Sequence, residues 1–223
     1  MSFTSWFVAA TSIVLLSDVA ASQNDSAHVS RAWLTPAAVL VAASLDPEVR
    51  EWALHQHSRP LDRVARAANP FGTAQRLVPA MAITYVGALI AHDRKLQHGT
   101  LVTAAAYVAS DLVESALKPI VGRERPHFAG RSACFHPFTG KGDWHSFPSA
   151  HVAHIASIAA ALSEQTNSRP LDLIGDGLIT LVGWDRIYED QHWTSDVVAT
   201  AMLSSFISRK TVRWIESRRQ HSP

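Results

Sequence analysis

A chain of 223 residues is long enough for one domain with a substantial core and short for two. With 47% hydrophobic and 17% charged residues it is no disordered chain, and a net charge of +1 gives no basis for a nucleic-acid partner. A single cysteine, Cys134, excludes an intrachain disulfide and a thiolate metal cluster. Mean hydropathy of +0.03 is high for a soluble domain, yet 20 basic and 19 acidic residues are many for a polytopic membrane protein.

Residues 1–21 read as a signal peptide. Met1–Ser17 carries no charged side chain, Phe7–Ala10 and Ile13–Leu16 are apolar, and Val19-Ala20-Ala21 suits cleavage before Ser22. An uncleaved N-terminal anchor is the alternative, because no Lys or Arg precedes the apolar stretch. Beyond it, apolar residues recur at helical spacing and predict helices at about 32–45, 48–58, 61–68, 74–93, 99–118, 149–164, 170–183 and 193–216. Asp46-Pro47, Asn69-Pro70-Phe71-Gly72 and Ser168-Arg169-Pro170 mark boundaries, and Pro79 should kink or shorten the fourth helix. The long irregular stretch at 126–147 reads as a functional or disordered loop. Outside the amino terminus no run is a convincing span. Leu77–His92, a run of 16 without Asp, Glu, Lys or Arg, falls short of the roughly 20 residues required, and His145–Ser163, 19 long, holds three histidines and four serines. Ala-rich helices buried in one another are expected instead, in an all-α single domain.

Three segments concentrate polar chemistry. The first runs from Lys118 to Pro126. Thr103, Tyr107, Asp111, Glu114 and Lys118 form a polar stripe on its helix, and Lys118 sits at the favourable negative end of the dipole. A Glu114–Lys118 surface pair is the plain reading of that lysine. The second is Pro148-Ser149-Ala150-His151, where Ser149 can cap a helix whose first amides attract an anion, with His154 on the same face as His151. The third runs from Arg186 to Asp196. His192 and Asp196 are four apart, so a carboxylate can fix the imidazole tautomer, and Arg186 brings a guanidinium fork. Three cations, a helix N-terminus and two histidines are the parts needed for phosphoryl transfer through a phosphohistidine.

The arrangement Lys118-x6-Arg125-Pro126, Pro148-Ser149-x-His151 and Arg186-x5-His192-x3-Asp196 resembles the type-2 phosphatidic acid phosphatase superfamily. That family holds bacterial nonspecific acid phosphatases, lipid phosphate phosphatases and vanadium haloperoxidases. The resemblance implies a helical phosphatase domain over 22–223 with a catalytic core at 118–196. Lys118, Arg125 and Arg186 would hold phosphate oxygens with the Ser149 hydroxyl and the amides of Ala150 and His151. His192 would attack phosphorus, Asp196 would orient its far nitrogen, and His151 would protonate the leaving alcohol. No metal is implied; the expected substrate is a phosphomonoester or pyrophosphate, lipid or soluble, with vanadate as an inhibitor.

Two positions depart from the family pattern: Ala150 stands where Gly is usual, and Asp185 replaces the Ser before Arg186. A metal reading of the 12 histidines finds no His-Glu-x-x-His, and would need His151, His154, Asp190 and His192 to converge. His127, His136 and His145 lie in or beside the long loop, bordering a substrate entrance or simply solvated. The alternatives are a vanadate-dependent haloperoxidase and a non-catalytic phosphate-binding membrane module. Export to a periplasmic or membrane-surface location is expected ahead of an integral inner-membrane protein.

Overall fold

Residues 34–220 are described by a computed structural model; the expected signal or anchor at 1–21 lies outside them. The described chain folds as α-helices in the order α1 (Leu34–Ser44), α2 (Asp46–His55), α3 (Arg59–Ala68), α4 (Ala74–Ile90), α5 (Arg94–Val121), α6 (Pro126–Ala129), α7 (Ala150–Thr166), α8 (Arg169–Tyr188) and α9 (Thr194–Gln220). Among the described residues the only β-type pairing outside helices is an isolated bridge between Arg123 and Phe135.

Local chemistry sets the boundaries. Asp93 caps α5, its carboxylate accepting from the Leu96 amide at 2.9 Å, so this helix starts five residues before the predicted 99. It ends at Gly122, which is left-handed at φ 57° and lies so close to the His136 carbonyl that a Cβ would come within 1.9 Å. Pro79 does not shorten α4. It falls in the second turn, where a missing N–H forfeits one hydrogen bond and the helix runs on.

The 126–147 stretch is ordered, pinned by backbone bonds to the segment that follows α5. Glu124 N–H donates to Cys134, Arg125 N–H to Asp143, His136 N–H to Gly122 and Ser146 N–H to Arg123. Those bonds fold the loop back over the first motif.

Helix α7 is the hub. Val152, Ile155 and Ala156 pack with Ile179 and Val182 of α8 and Ala201 of α9, while Ala161 packs with Val102 and Ala106 of α5 and Val212 of α9. Its alanines let these backbones approach closely. Gly183 of α8 is part of the same fit, since a Cβ there would meet Val197 at 2.6 Å.

The outer helices correct the expectation that the apolar segments bury one another. Helix α4 packs on α5 and on the 3₁₀ turn Asn69–Gly72, and Ala88 is its one buried residue. Ile83 and Ile90 are 72% and 76% exposed, and Leu101, Val108 and Leu112 of α5 continue the apolar surface. The membrane-span expectation also changes: α5 is long and apolar enough to cross a membrane, by length and composition. Glu114, which interrupts its sequence, is buried and paired with Lys118, and Asp111, itself partly exposed, pairs with the buried His154. The single charges along its length therefore leave an outer face that is apolar.

Candidate active site

The three motifs meet where the start of α7, the end of α5 and the turn between α8 and α9 come together. Ser149 opens α7 with a buried hydroxyl that has no hydrogen-bond partner, its amide donating to Thr200 Oγ1 at 3.0 Å. A buried, unpartnered hydroxyl beside the first amides of a helix is a place for an anion. Ala150 is the first helical residue and is not among the positive-φ positions, so the methyl group carries no backbone strain.

Each cation of the expected cradle is held. Lys118 pairs with Glu114, one turn earlier on α5, and both are largely buried rather than forming the surface pair read from the sequence. Arg186 donates through Nε and Nη2 to Asp185 Oδ2 at 2.9 and 2.5 Å. The other Asp185 oxygen is buried with no partner, and burial raises this carboxyl above its ordinary range. Arg125 donates to the carbonyl of Gly142 at 3.1 Å and to Gln191 Oε1 at 3.0 Å. Carboxylates thus partner two of the three cations.

His192 lies in a turn built around Arg186. The amides of Gln191 and His192 both donate to the Arg186 carbonyl, which fixes the two functional side chains relative to each other. Asp190, left-handed at φ 54°, is clasped by Arg50 Nε and Nη2 at 2.7 and 2.8 Å. His192 Nδ1 donates to the Ser146 carbonyl at 2.5 Å, whereas Asp196 Oδ2 is 4.0 Å away. The expected direct His192–Asp196 hydrogen bond is therefore replaced. Ser146 stands between them, its carbonyl holding the imidazole and its hydroxyl donating to Asp196 at 2.5 Å. The result for the ring is the same: Nδ1 carries the proton and Nε2 keeps a free lone pair. Burial first, then the charges of Arg125 and Lys118, hold the His192 pKa well below the ordinary histidine value.

His151 sits on the first turn of α7 against the 3₁₀ turn. A Cβ on Gly72 would come within 2.7 Å of the His151 Cβ, so only glycine permits this approach. The Gly72 carbonyl also accepts from His154 Nδ1 at 2.8 Å, and His154 Nε2 faces Asp111 at 3.0 Å. Burial, then the charges of Arg186, His154, Lys118 and Arg125, push the His151 pKa down to about 4. That all three cradle cations act on both histidines locates the motifs around one site.

The sequence left several of these residues unassigned. Asp46 and Gly72 were read as helix punctuation, Arg123 lay unremarked inside the first motif, and Ser146 stood at the end of the loop. Of the loop histidines, His136 packs its ring against Trp144 with centroids 3.8 Å apart, and His145 bonds the Thr139 carbonyl. His127 lies beside the Asp190 carbonyl. Among the described residues no three His, Cys, Asp or Glu side chains are grouped as a metal site requires.

No curated protein matches the sequence. LpxE of Aquifex aeolicus is similar in fold at a TM-score of 0.62 and 20% identity, over 76% of this chain and 95% of that one. A transmembrane PAP2-type phosphatidylglycerolphosphate phosphatase from Bacillus subtilis is similar at 0.62 and 20%, over 95% of this chain and 97% of that one. The sequence model of the PAP2 superfamily matches residues 99–220, more than half of the chain and all three motifs. The chain belongs to the PAP2 superfamily.

Proposed function

We propose that this protein is a metal-independent phosphatase that removes phosphate from a phosphorylated lipid, as a monoester or pyrophosphate, through a phosphohistidine at His192. The observation that carries the reading is the cradle: the orphaned Ser149 hydroxyl at the head of α7, with Lys118, Arg125 and Arg186 around two neutral histidines. Three cations and a helix start match charge spread over equatorial phosphate oxygens.

In the first step His192 Nε2 attacks phosphorus in line, the P–N bond forms and the bond to the leaving oxygen breaks. That oxygen takes a proton from His151. The arriving phosphate dianion raises the His151 pKa from its low value in the free site, so substrate itself supplies the conditions for the acid. In the second step His151 takes a proton from water, the water oxygen bonds to phosphorus and the P–N bond breaks, releasing phosphate. His192 is returned with Nδ1–H still donated to Ser146.

The apolar outer faces of α4 and α5 support a membrane-associated enzyme and a lipid substrate. The neighbour described as a transmembrane phosphatidylglycerolphosphate phosphatase points the same way. Export by residues 1–21 belongs to the same proposal. Turnover of p-nitrophenyl phosphate and of a phosphatidic acid in detergent by wild type, His192→Ala and His151→Ala tests it. Both variants should lose turnover, and vanadate should inhibit the wild type; activity undiminished in either variant rejects the assignment.

A further inference from the structure

Behind His192 lies a cation that the phosphate chemistry leaves unused. Arg123 is buried, and its five N–H donors are all assigned. Nε and one Nη2 hydrogen go to the Ser132 carbonyl at 3.0 and 2.7 Å. The other Nη2 hydrogen goes to Asp46 Oδ2 at 2.7 Å, and Nη1 serves Ser195 Oγ at 2.8 Å and Asp196 Oδ1 at 2.5 Å. No donor is left for a phosphate. Arg125, two residues on, has carbonyl and amide partners that an anion can replace.

Asp46 closes the ring from α2. Its Oδ1 accepts from the Ser195 amide at 2.9 Å and its Oδ2 from the Ser195 hydroxyl at 2.6 Å as well as from Arg123. Asp196 is equally saturated, with Arg123 on Oδ1 and both Ser146 Oγ and the Trp193 amide on Oδ2. Resting on the reading of His192 as the nucleophile, we propose that Arg123, anchored by Asp46, is the positioning residue of the reaction. It fixes Asp196, and through Ser146 the Nδ1–H of His192, without touching substrate.

The chain of contacts gives this role its chemistry. His192 takes its orientation from the Ser146 carbonyl, Ser146 takes its own from Asp196, and Asp196 is favoured as an anion chiefly by the facing Arg123. The charged groups around Asp196 are Arg123 and Arg125 from the segment after α5 and Asp46 of α2 behind Arg123, and the titratable neighbour is the neutral His192. Burial raises the Asp196 carboxyl, and Arg123 is the largest influence opposing that rise. A neutral residue at 123 leaves two buried carboxylates facing each other, and Asp196 then binds a proton at higher pH. A protonated Asp196 no longer needs the Ser146 hydroxyl as donor, and the carbonyl that aims His192 is released.

The experiment is the pH profile of kcat and kcat/KM for p-nitrophenyl phosphate, on the full chain, with thermal melting of each variant. Arg123→Gln should lower kcat about 100-fold, the scale of a displaced catalytic group, with KM little changed and the acid limb moved to higher pH. Arg123→Lys keeps the charge and loses the fork, so the acid limb returns toward wild type while kcat recovers only in part. Asp46→Asn, which spares the cation, should lower kcat with no upward move of the acid limb. A wild-type acid limb and kcat in Arg123→Gln, or a raised KM at unchanged kcat, overturns the inference. If Arg123→Gln does not fold, Asp46→Asn carries the test, and unchanged kcat there overturns it. Turnover surviving in His192→Ala brings down the phosphatase reading itself. An inactive His192→Ala beside a wild-type-like Arg123→Gln brings down only the role of Arg123.

Discussion

The two sides of this site are built in opposite ways. On the nucleophile side, Arg123, Asp196, Asp46 and Ser195 partner one another, and no atom of theirs is among the buried polar atoms without a partner. On the phosphate side the Ser149 hydroxyl and one Asp185 oxygen are buried and unpartnered, and Lys118 and Arg186 lean on carboxylates. Unsatisfied buried groups cost stability, and the Ser149 hydroxyl is one that a bound anion can partner. Under the proposed mechanism the difference teaches a division of labour: the attacking imidazole is aimed in advance, whereas the cradle is finished by the anion it binds.

That contrast can be broken at several points. The largest effect is expected at the nucleophile, where His192→Ala should lower turnover on the order of 10⁶-fold, as removal of a covalent nucleophile does elsewhere. Next come the cradle cations. Lys118→Met or Arg125→Ala should each cost about 10²–10³-fold in kcat/KM, the scale of one lost electrostatic contact to the transition state. Gly72→Ala should then lower kcat about 10²-fold by pushing His151 aside, the scale of a displaced acid, with folding checked by thermal melting. Ser149→Ala should cost about 10-fold or somewhat more, one hydrogen bond to a charged oxygen, and isothermal titration with vanadate should register the loss directly. The smallest effect has the opposite sign: Asp185→Ser frees Arg186 from its carboxylate and should tighten vanadate binding. Weaker binding in that variant would show that the Arg186–Asp185 pair helps to hold the ligand.

The pH dependence sharpens the same contrast. In the free site His151 is held at about 4, so the acid it must supply is scarce at neutral pH. A bound phosphate dianion raises that value. The basic limb of kcat should therefore lie at higher pH than the basic limb of kcat/KM, which reports the free enzyme. Coincident limbs would mean that His151 does not donate the proton.

Much of this was legible in the residues, for identifiable reasons. Helices with strong apolar periodicity, such as Ala150–Thr166, are legible to within two residues, because Pro148-Ser149 marks the start and alanine spacing the body. The spacing of Lys118, Arg125, His151, Arg186 and His192 was readable as phosphate chemistry because cations and imidazoles have few structural uses together. Asp46 was not legible as part of the site. Its partners Arg123 and Ser195 are 77 and 149 residues away, and nothing local distinguishes it from the acid that commonly precedes a proline. Ser146 escaped because its decisive atom is a backbone carbonyl, which every residue owns. The outer faces of α4 and α5 were misjudged since alanine and leucine look alike whether they meet another helix or face outward.

The central claim is that phosphate passes through His192, and the stereochemical course at phosphorus tests it most directly. A phosphorothioate ester made chiral with oxygen isotopes, hydrolysed in heavy-oxygen water, reports that course without requiring the intermediate to accumulate. Two successive in-line displacements, first by His192 and then by water, predict net retention of configuration. Net inversion would mean that water attacks the ester directly, and the account of His192 as nucleophile would be wrong.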